Sequence, residues 1–143
     1  MDIWKQIAIN DLNRYANLEN SIKSLQEKIA AVENSMVGGG SSMGSTPVSG
    51  GHSPLEDKYV NSIALKGKYE RQLKTNLLDY KAIRRAIESL SRKDQRVLNL
   101  SYINRGKLHI ENIMSEFCVE RSQAYRDKDA ALAAFIMAMY ARE

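Results

Sequence analysis

Both prolines of the chain, Pro47 and Pro54, fall in one stretch, VGGGSSMGSTPVSGGHSP at residues 37–54, and none appears before Pro47. That stretch is dominated by glycine and serine, a composition that cannot repay the entropy of ordering, so it reads as a flexible linker. It divides the sequence into tracts that are each free to be helical. Before it, apolar residues recur at Trp4, Ala8, Tyr15, Leu18, Ile22, Leu25, Ile29, Val32 and Met36, in steps of three and four. This is a heptad seam, interrupted at one core position by Asp11. A helix over residues 1–36 is about 50 Å long and needs a partner. Tyr15, Leu18, Ile22, Leu25, Ile29 and Val32 are the residues expected to meet it, either in the same chain as an antiparallel hairpin or in a second copy as a homodimeric coiled coil.

After the linker, Ser53 and Glu56 form a capping box and Pro54 stands at the favoured first helical position. A second amphipathic helix is predicted over residues 55–90. Its apolar face is Leu55, Tyr59, Ile63, Tyr69, Leu73, Leu77, Tyr80, Ile83, Ile87 and Leu90. Lys66, Lys68, Arg71, Lys74, Lys81, Arg84 and Arg85 are spread along its other sides, as on a solvated face.

Residues 91–143 break into three shorter helical patterns. Ser91 ahead of Arg92, Lys93 and Asp94 caps the first, which buries Val97, Leu98 and Tyr102 with Ile103 and stops at Asn104, Arg105 and Gly106. The next, over residues 108–117, sets Ile110, Ile113, Met114 and Phe117 on one face. Cys118, Val119 and Glu120 form a turn. Arg121 opens a longer helix with Ala124, Leu132 and Phe135 inward and Ser122, Gln123 and Arg126 outward. The fold class is therefore all-α: a long N-terminal helical hairpin or coiled coil, then a C-terminal helix-turn-helix.

Charge narrows the partners. Four basic residues stand against five acidic ones in residues 1–54, eight against five in 55–90 and nine against seven in 91–143, for a net charge of +4. A basic C-terminal two-thirds favours anionic partners, nucleic acid foremost. Cys118 is the sole cysteine, which excludes an intrachain disulfide and a multi-cysteine zinc site. It is expected to be a small packed apolar residue. No run approaches the roughly 20 apolar residues of a membrane span, the N-terminus MDIWKQ lacks the order of a signal peptide, and a cytoplasmic location is expected. With His52 and His109 as the only histidines and no acidic constellation, neither an enzyme, a metal site nor a cofactor is expected. GGGSS lacks the Gly-Lys-Ser/Thr and the preceding strand of a phosphate loop.

The run LSRKDQRVLNLSYINRGKLHIENIMSEFCVERSQAYRDKDAALAAF, residues 90–135, resembles the fourth, promoter-reading region of bacterial sigma factors. Leu90, Arg96, Val97, Leu98, Leu100, Tyr102, Ile113, Val119, Arg121, Ala131, Leu132 and Phe135 carry the likeness. Met114 stands for a small alanine, Phe117-Cys118 for a Leu-Gly turn and Glu120 for a capping serine. With its long helices and Gly/Ser-rich insert, the whole chain is similar to the ArpU/RinA-type late-transcription regulators encoded by phages of Gram-positive bacteria. No sigma region-two pattern is present.

The resemblance implies a sequence-specific regulator that binds double-stranded promoter or operator DNA, acts as a homodimer and touches bacterial RNA polymerase. Residues near the start of a recognition helix read the major groove. Arg121 and Arg126 suit guanine or phosphate, Gln123 suits adenine, Ser122 suits base or phosphate, and Tyr125 either packs on sugar and thymine methyl or belongs to the core. Arg105, Lys107, His109 and Lys128 belong nearer the backbone, while Asp127 and Asp129 are expected to point away from it. Two other roles suit the same pattern: a small terminase subunit that packages DNA, and an adaptor that grips polymerase or a sigma factor without DNA specificity.

Overall fold

A computed structural model describes residues 2–41 and 54–141, with side chains described outside 38–41. Five α-helices make up the described residues: α1 (Ile3–Ser41), α2 (Pro54–Glu88), α3 (Arg92–Leu98), α4 (His109–Phe117) and α5 (Arg121–Tyr140), with a π-helical turn, Asn99–Ile103, prolonging α3. The described residues contain no strand. The expected all-α class holds.

Helix α1 continues to Ser41, so residues 37–41, which the composition assigned to a linker, are helical. The rest of that linker up to residue 53, His52 and the capping serine Ser53 included, lies outside the described residues. Pro54 is the first residue of α2, where its missing N–H costs nothing.

The chain clusters into two compact units, Met1–Glu19 with Leu78–Glu143, and Asn20–Leu77. In the second unit α1 and α2 run antiparallel. Lys66 Nζ lies 3.0 Å from Glu33 Oε1, and Lys28 Nζ sits 5.8 Å above the Tyr69 ring. Ile22 is buried there, with Leu25, Ile29 and Val32 half-buried. An apolar stripe of roughly three to four side chains per two turns is what a helix of this kind packs with. The expected face of α2 is only partly used: Leu55, Tyr59 and Ile63 are exposed at 37%, 53% and 49%.

The first unit has the larger core. Ala8, Leu12 and Leu18 of α1 meet Ile83, Ala86 and Ile87 of α2, Val97 and Leu98 of α3, Tyr102 of the π turn, Ile110 and Ile113 of α4, and Ala124, Ala131, Leu132, Phe135 and Ile136 of α5 in one buried cluster. The C-terminal helices therefore share their core with both long helices, and a boundary at residue 91 cuts across it. Tyr15 and Tyr80 stack with ring centroids 5.2 Å apart; their burial, reinforced by the hydrogen bond between them, pushes the Tyr15 hydroxyl up to about 12. Together with the buried Leu18 and Ile22, this shows the α1 seam being filled from within the chain. The Asp11 interruption is resolved by register. Leu12, four residues after Ala8, is fully buried, while the half-buried Asp11 accepts a hydrogen bond from the Tyr140 hydroxyl and pairs with Arg14.

Ser91 caps α3 as its sequence position predicts, its Oγ accepting from the Asp94 N–H at 3.1 Å. Ser91→Ala is expected to cost about 1 kcal/mol, read as a lowered urea midpoint at unchanged slope. The chain does not stop at Leu98. Five more residues wind as a π turn closed by the Asn104 N–H on the Asn99 carbonyl at 2.9 Å, and this turn carries Ser101 and Tyr102 into the core.

Candidate nucleic-acid interface

Helices α4 and α5 are joined by three residues, Cys118 to Glu120. Cys118 ends α4 in the left-handed conformation, φ 54° and ψ 48°, and the Val119 N–H then reaches back to the Met114 carbonyl at 3.1 Å. Its side chain is exposed, which corrects the expectation of a packed apolar residue: a left-handed residue at a helix end turns its Cβ out of the core. A β-carbon is disfavoured there by about 1–2 kcal/mol, offset in part by the entropy glycine loses on folding. Cys118→Gly is accordingly expected to stabilise the chain by about 0.5–1 kcal/mol in a denaturant titration.

Beyond the turn, α5 buries Ala124, Asp127, Ala131, Leu132, Phe135 and Ile136. Arg121, Ser122, Tyr125, Arg126 and Asp129 are exposed, a stripe at three- and four-residue spacing along the first two turns. Arg121 pairs with Glu111 of α4 at 3.0 Å, and that hydrogen bond holds its guanidinium more firmly charged. Glu111 is correspondingly lowered, first by its own backbone N–H and then by Arg121. Both partners are about half exposed, so the pair is weak and readily exchanged for a competing anion. Tyr125 is 49% exposed, on the surface rather than in the core. Arg126 makes no ion pair or hydrogen bond among the described residues. Asp129 sits at the far end of this stripe instead of pointing away, and limits the basic surface to the first turn and a half.

Gln123 is placed differently. It is half-buried, and its amide donates to Asp127 Oδ1 at 2.8 Å. Asp127, 8% exposed, also lies 3.3 Å from Lys93 Nζ through Oδ2. Neither Lys93 nor Asp127 figures in a reading of surface residues. The signal that finds them is periodicity: positions 124, 127 and 131 form the inward stripe of α5, and an acid on such a stripe needs a cation from the element it packs against. Lys93 supplies it, its ammonium also standing 5.7 Å from the Phe117 ring. Arg96 of α3 clasps Glu116 of α4 through Nε, 2.8 Å from each carboxylate oxygen.

Beside the stripe stands a second basic group. Lys128 Nζ is 3.2 Å from His109 Nε2 and 5.3 Å above the Tyr102 ring, with Arg105 and Lys107 exposed on the segment leading into α4. An ammonium can only donate, so Nε2 accepts and the imidazole is neutral in this contact. Burial, then Lys128, then Arg105 depress the His109 pKa, against a smaller opposing pull from Glu111. Burial and Arg105 depress Lys128 likewise. Nδ1 of His109 is enclosed without a hydrogen-bond partner.

Among the described residues no group of three or more His, Cys, Asp or Glu side chains is placed to hold a metal ion. Among the described residues, no helix is long and apolar enough to cross a membrane.

A family model described as a protein of unknown function (DUF1492) matches residues 37–135. The chain belongs to this family. The DUF1492 region takes in all of α2, α3 and α4 and most of α5, so both basic groups lie inside it, whereas the core residues Ala8, Leu12 and Leu18 lie outside. No curated protein and no solved structure matches the chain.

One pH response of the DUF1492 region follows from His109. Its folded pKa lies below the ordinary 6.5, so between the two values the unfolded chain binds the extra proton. Stability therefore falls as pH drops through 6.5 towards the depressed value, and below that the full loss is present. His109→Gln is expected to flatten this limb: urea midpoints measured from pH 7.5 to pH 5 should fall less for the variant than for the parent chain.

Proposed function

We propose that the chain is a sequence-specific DNA-binding regulator of transcription, with a module like sigma region four and a role like that of the ArpU/RinA-type phage late-gene regulators. The observation that carries this reading is the exposed stripe of Arg121, Ser122, Tyr125 and Arg126 at the start of a helix that follows another through a three-residue turn. Such a helix end is where side chains reach base edges when a helix enters the major groove, which is about 12 Å wide. The group of Arg105, Lys107, His109 and Lys128 suits the flanking phosphates, which fix register without reading sequence.

The placement of individual groups refines the roles. Arg126, uncommitted, is the leading base contact. Arg121 exchanges Glu111 for a base or phosphate, and Ser122 and Tyr125 border them. Gln123, tied to Asp127, holds the helix rather than reads adenine. Asp129 at the far end repels phosphate, which confines contact to the first turn and a half of α5.

The test is selection of bound duplexes from a randomised pool, followed by anisotropy titrations of the winner against a shuffled duplex. Expected is an enriched motif bound at least about 1,000-fold more tightly than the shuffled control, with affinity falling steeply as salt rises. Equal affinity for both duplexes at moderate salt overturns the reading.

A further inference from the structure

His109 and Lys128 are held against each other in a way that leaves the ring one place to take up a proton. Lys128 Nζ lies 3.2 Å from His109 Nε2. An ammonium can only donate, so Nε2 carries a lone pair and the proton of the neutral ring is on Nδ1. Nδ1 is enclosed and has no partner. A second proton therefore goes onto Nε2, on the edge that faces Lys128. There it sets an N–H against an ammonium, two donors and two positive charges with no acceptor between them.

The other charges around the ring do not relieve this opposition. Burial, then Lys128, then Arg105 ahead of α4 hold the ring below the ordinary 6.5, and Glu111 of α4 opposes them more weakly. Glu111 is bonded to Arg121 at 3.0 Å. Asp129, next to Lys128 on α5, favours the ammonium less than burial and Arg105 disfavour it. Among the described residues neither carboxylate forms an ion pair with Lys128 or His109. On the remaining side Lys128 stands over the Tyr102 ring of the π turn, which offers it no acceptor oxygen.

Lys128 also shares an edge of α5 with Arg121. The two are seven residues apart, nearly two full turns and about 10 Å along the helix, which is within the width of one major groove. A phosphodiester has two non-bridging oxygens, each able to accept. At this edge it can offer one to the Lys128 ammonium and the other to a protonated Nε2, replacing the opposed donors with two charge-assisted hydrogen bonds.

We infer, resting on the DNA-binding reading above, that a backbone phosphate seats at Lys128 and His109 and that its arrival draws a proton from solvent onto Nε2. Binding is then tighter in mild acid. Free, the ring titrates below 6.5; the phosphate raises it, so affinity climbs as pH falls from the bound-state value to the free-state value.

The test is titration of the His109 ring by NMR, free and saturated with the selected duplex, in a chain carrying His52→Gln so that His109 is the sole histidine. The ring is expected to titrate at least about one pH unit higher in the complex, a shift equivalent to a roughly tenfold gain in affinity once the whole window is crossed. Anisotropy titrations from pH 8 to pH 5.5 at constant salt should show affinity rising at least about threefold. His109→Gln should abolish that rise, and Lys128→Gln should shrink the NMR shift by bringing the free ring towards 6.5. Inorganic phosphate at equal ionic strength is the second arm: a shift with it and none with the duplex assigns the site to a free anion and overturns the inference. So does affinity flat with pH, or a rise that survives His109→Gln. A duplex bound tightly and selectively with an unshifted ring sinks this inference and leaves the DNA reading standing, whereas a chain that binds no duplex sinks both.

Discussion

Phe135→Ala is expected to lower the unfolding free energy by about 3–5 kcal/mol, the largest stability loss of any single truncation in the chain. Phe135 is fully buried and sits in the cluster to which every helix contributes. Its ring meets Tyr140 edge-on at 6.3 Å, and Tyr140 in turn lies against Trp4 of α1 at 5.4 Å while its hydroxyl donates to Asp11. Burial and that carboxylate both raise the Tyr140 pKa. The cavity therefore opens where α5 is fastened to α1, and the neighbouring helices cannot close on it without giving up the ring pair. Against a total stability of about 5–15 kcal/mol for an ordinary domain, the variant should show a much reduced urea midpoint and native-state amide exchange in α5 accelerated to match. Met137→Ala, on the same helix but 45% exposed, is the control and should change stability by less than about 0.5 kcal/mol. Equal effects from the two would mean that α5 does not pack as described.

The helices themselves were legible because periodicity, capping and breakers agreed. Ser91 capped what it was expected to cap, Pro54 opened α2, and the inward positions Ala124, Leu132 and Phe135 are buried. What local pattern leaves open has a physical reason. A stripe at heptad spacing says that a helix has a partner, not which one, and Tyr15 and Leu18 found theirs on the same chain. A three-residue step from Ala8 puts Asp11 at the core position, while a four-residue step reaches Leu12, which is the buried one. Glycines 38–40 do not end α1 at once, since a helix already nucleated tolerates about 1 kcal/mol per glycine over a few residues. Residue type alone puts Gln123 on the outward face and says of Asp127 only that it points away from a phosphate, whereas the two are hydrogen-bonded to each other with Asp127 buried. The tertiary partner Lys93, thirty-four positions away, is what lets a carboxylate lie inside, and no local pattern announces it.

The other large effect concerns the basic stripe. Arg121→Glu combined with Arg126→Glu is expected to weaken binding to the selected duplex by at least about 100-fold at moderate salt, each reversal removing a contact and adding repulsion to a polyanion. Loss of fold is not the cause: both residues are exposed, and the Arg121–Glu111 pair is worth no more than about 1 kcal/mol. The alanine singles should separate the roles. Arg126→Ala should cost more than Arg121→Ala, because Arg126 gives up nothing to reach DNA while Arg121 must leave Glu111. By the same reasoning Glu111→Gln should tighten binding severalfold, since it frees Arg121 and removes a negative charge beside the duplex. Each alanine variant should also reduce the dependence of log affinity on log salt by about one unit if its arginine grips phosphate, and leave that slope unchanged while relaxing one position of the motif if it reads a base. A double reversal that binds like the parent chain would place the DNA contact elsewhere. The basic group at Arg105, Lys107, His109 and Lys128 would then be the next surface to reverse.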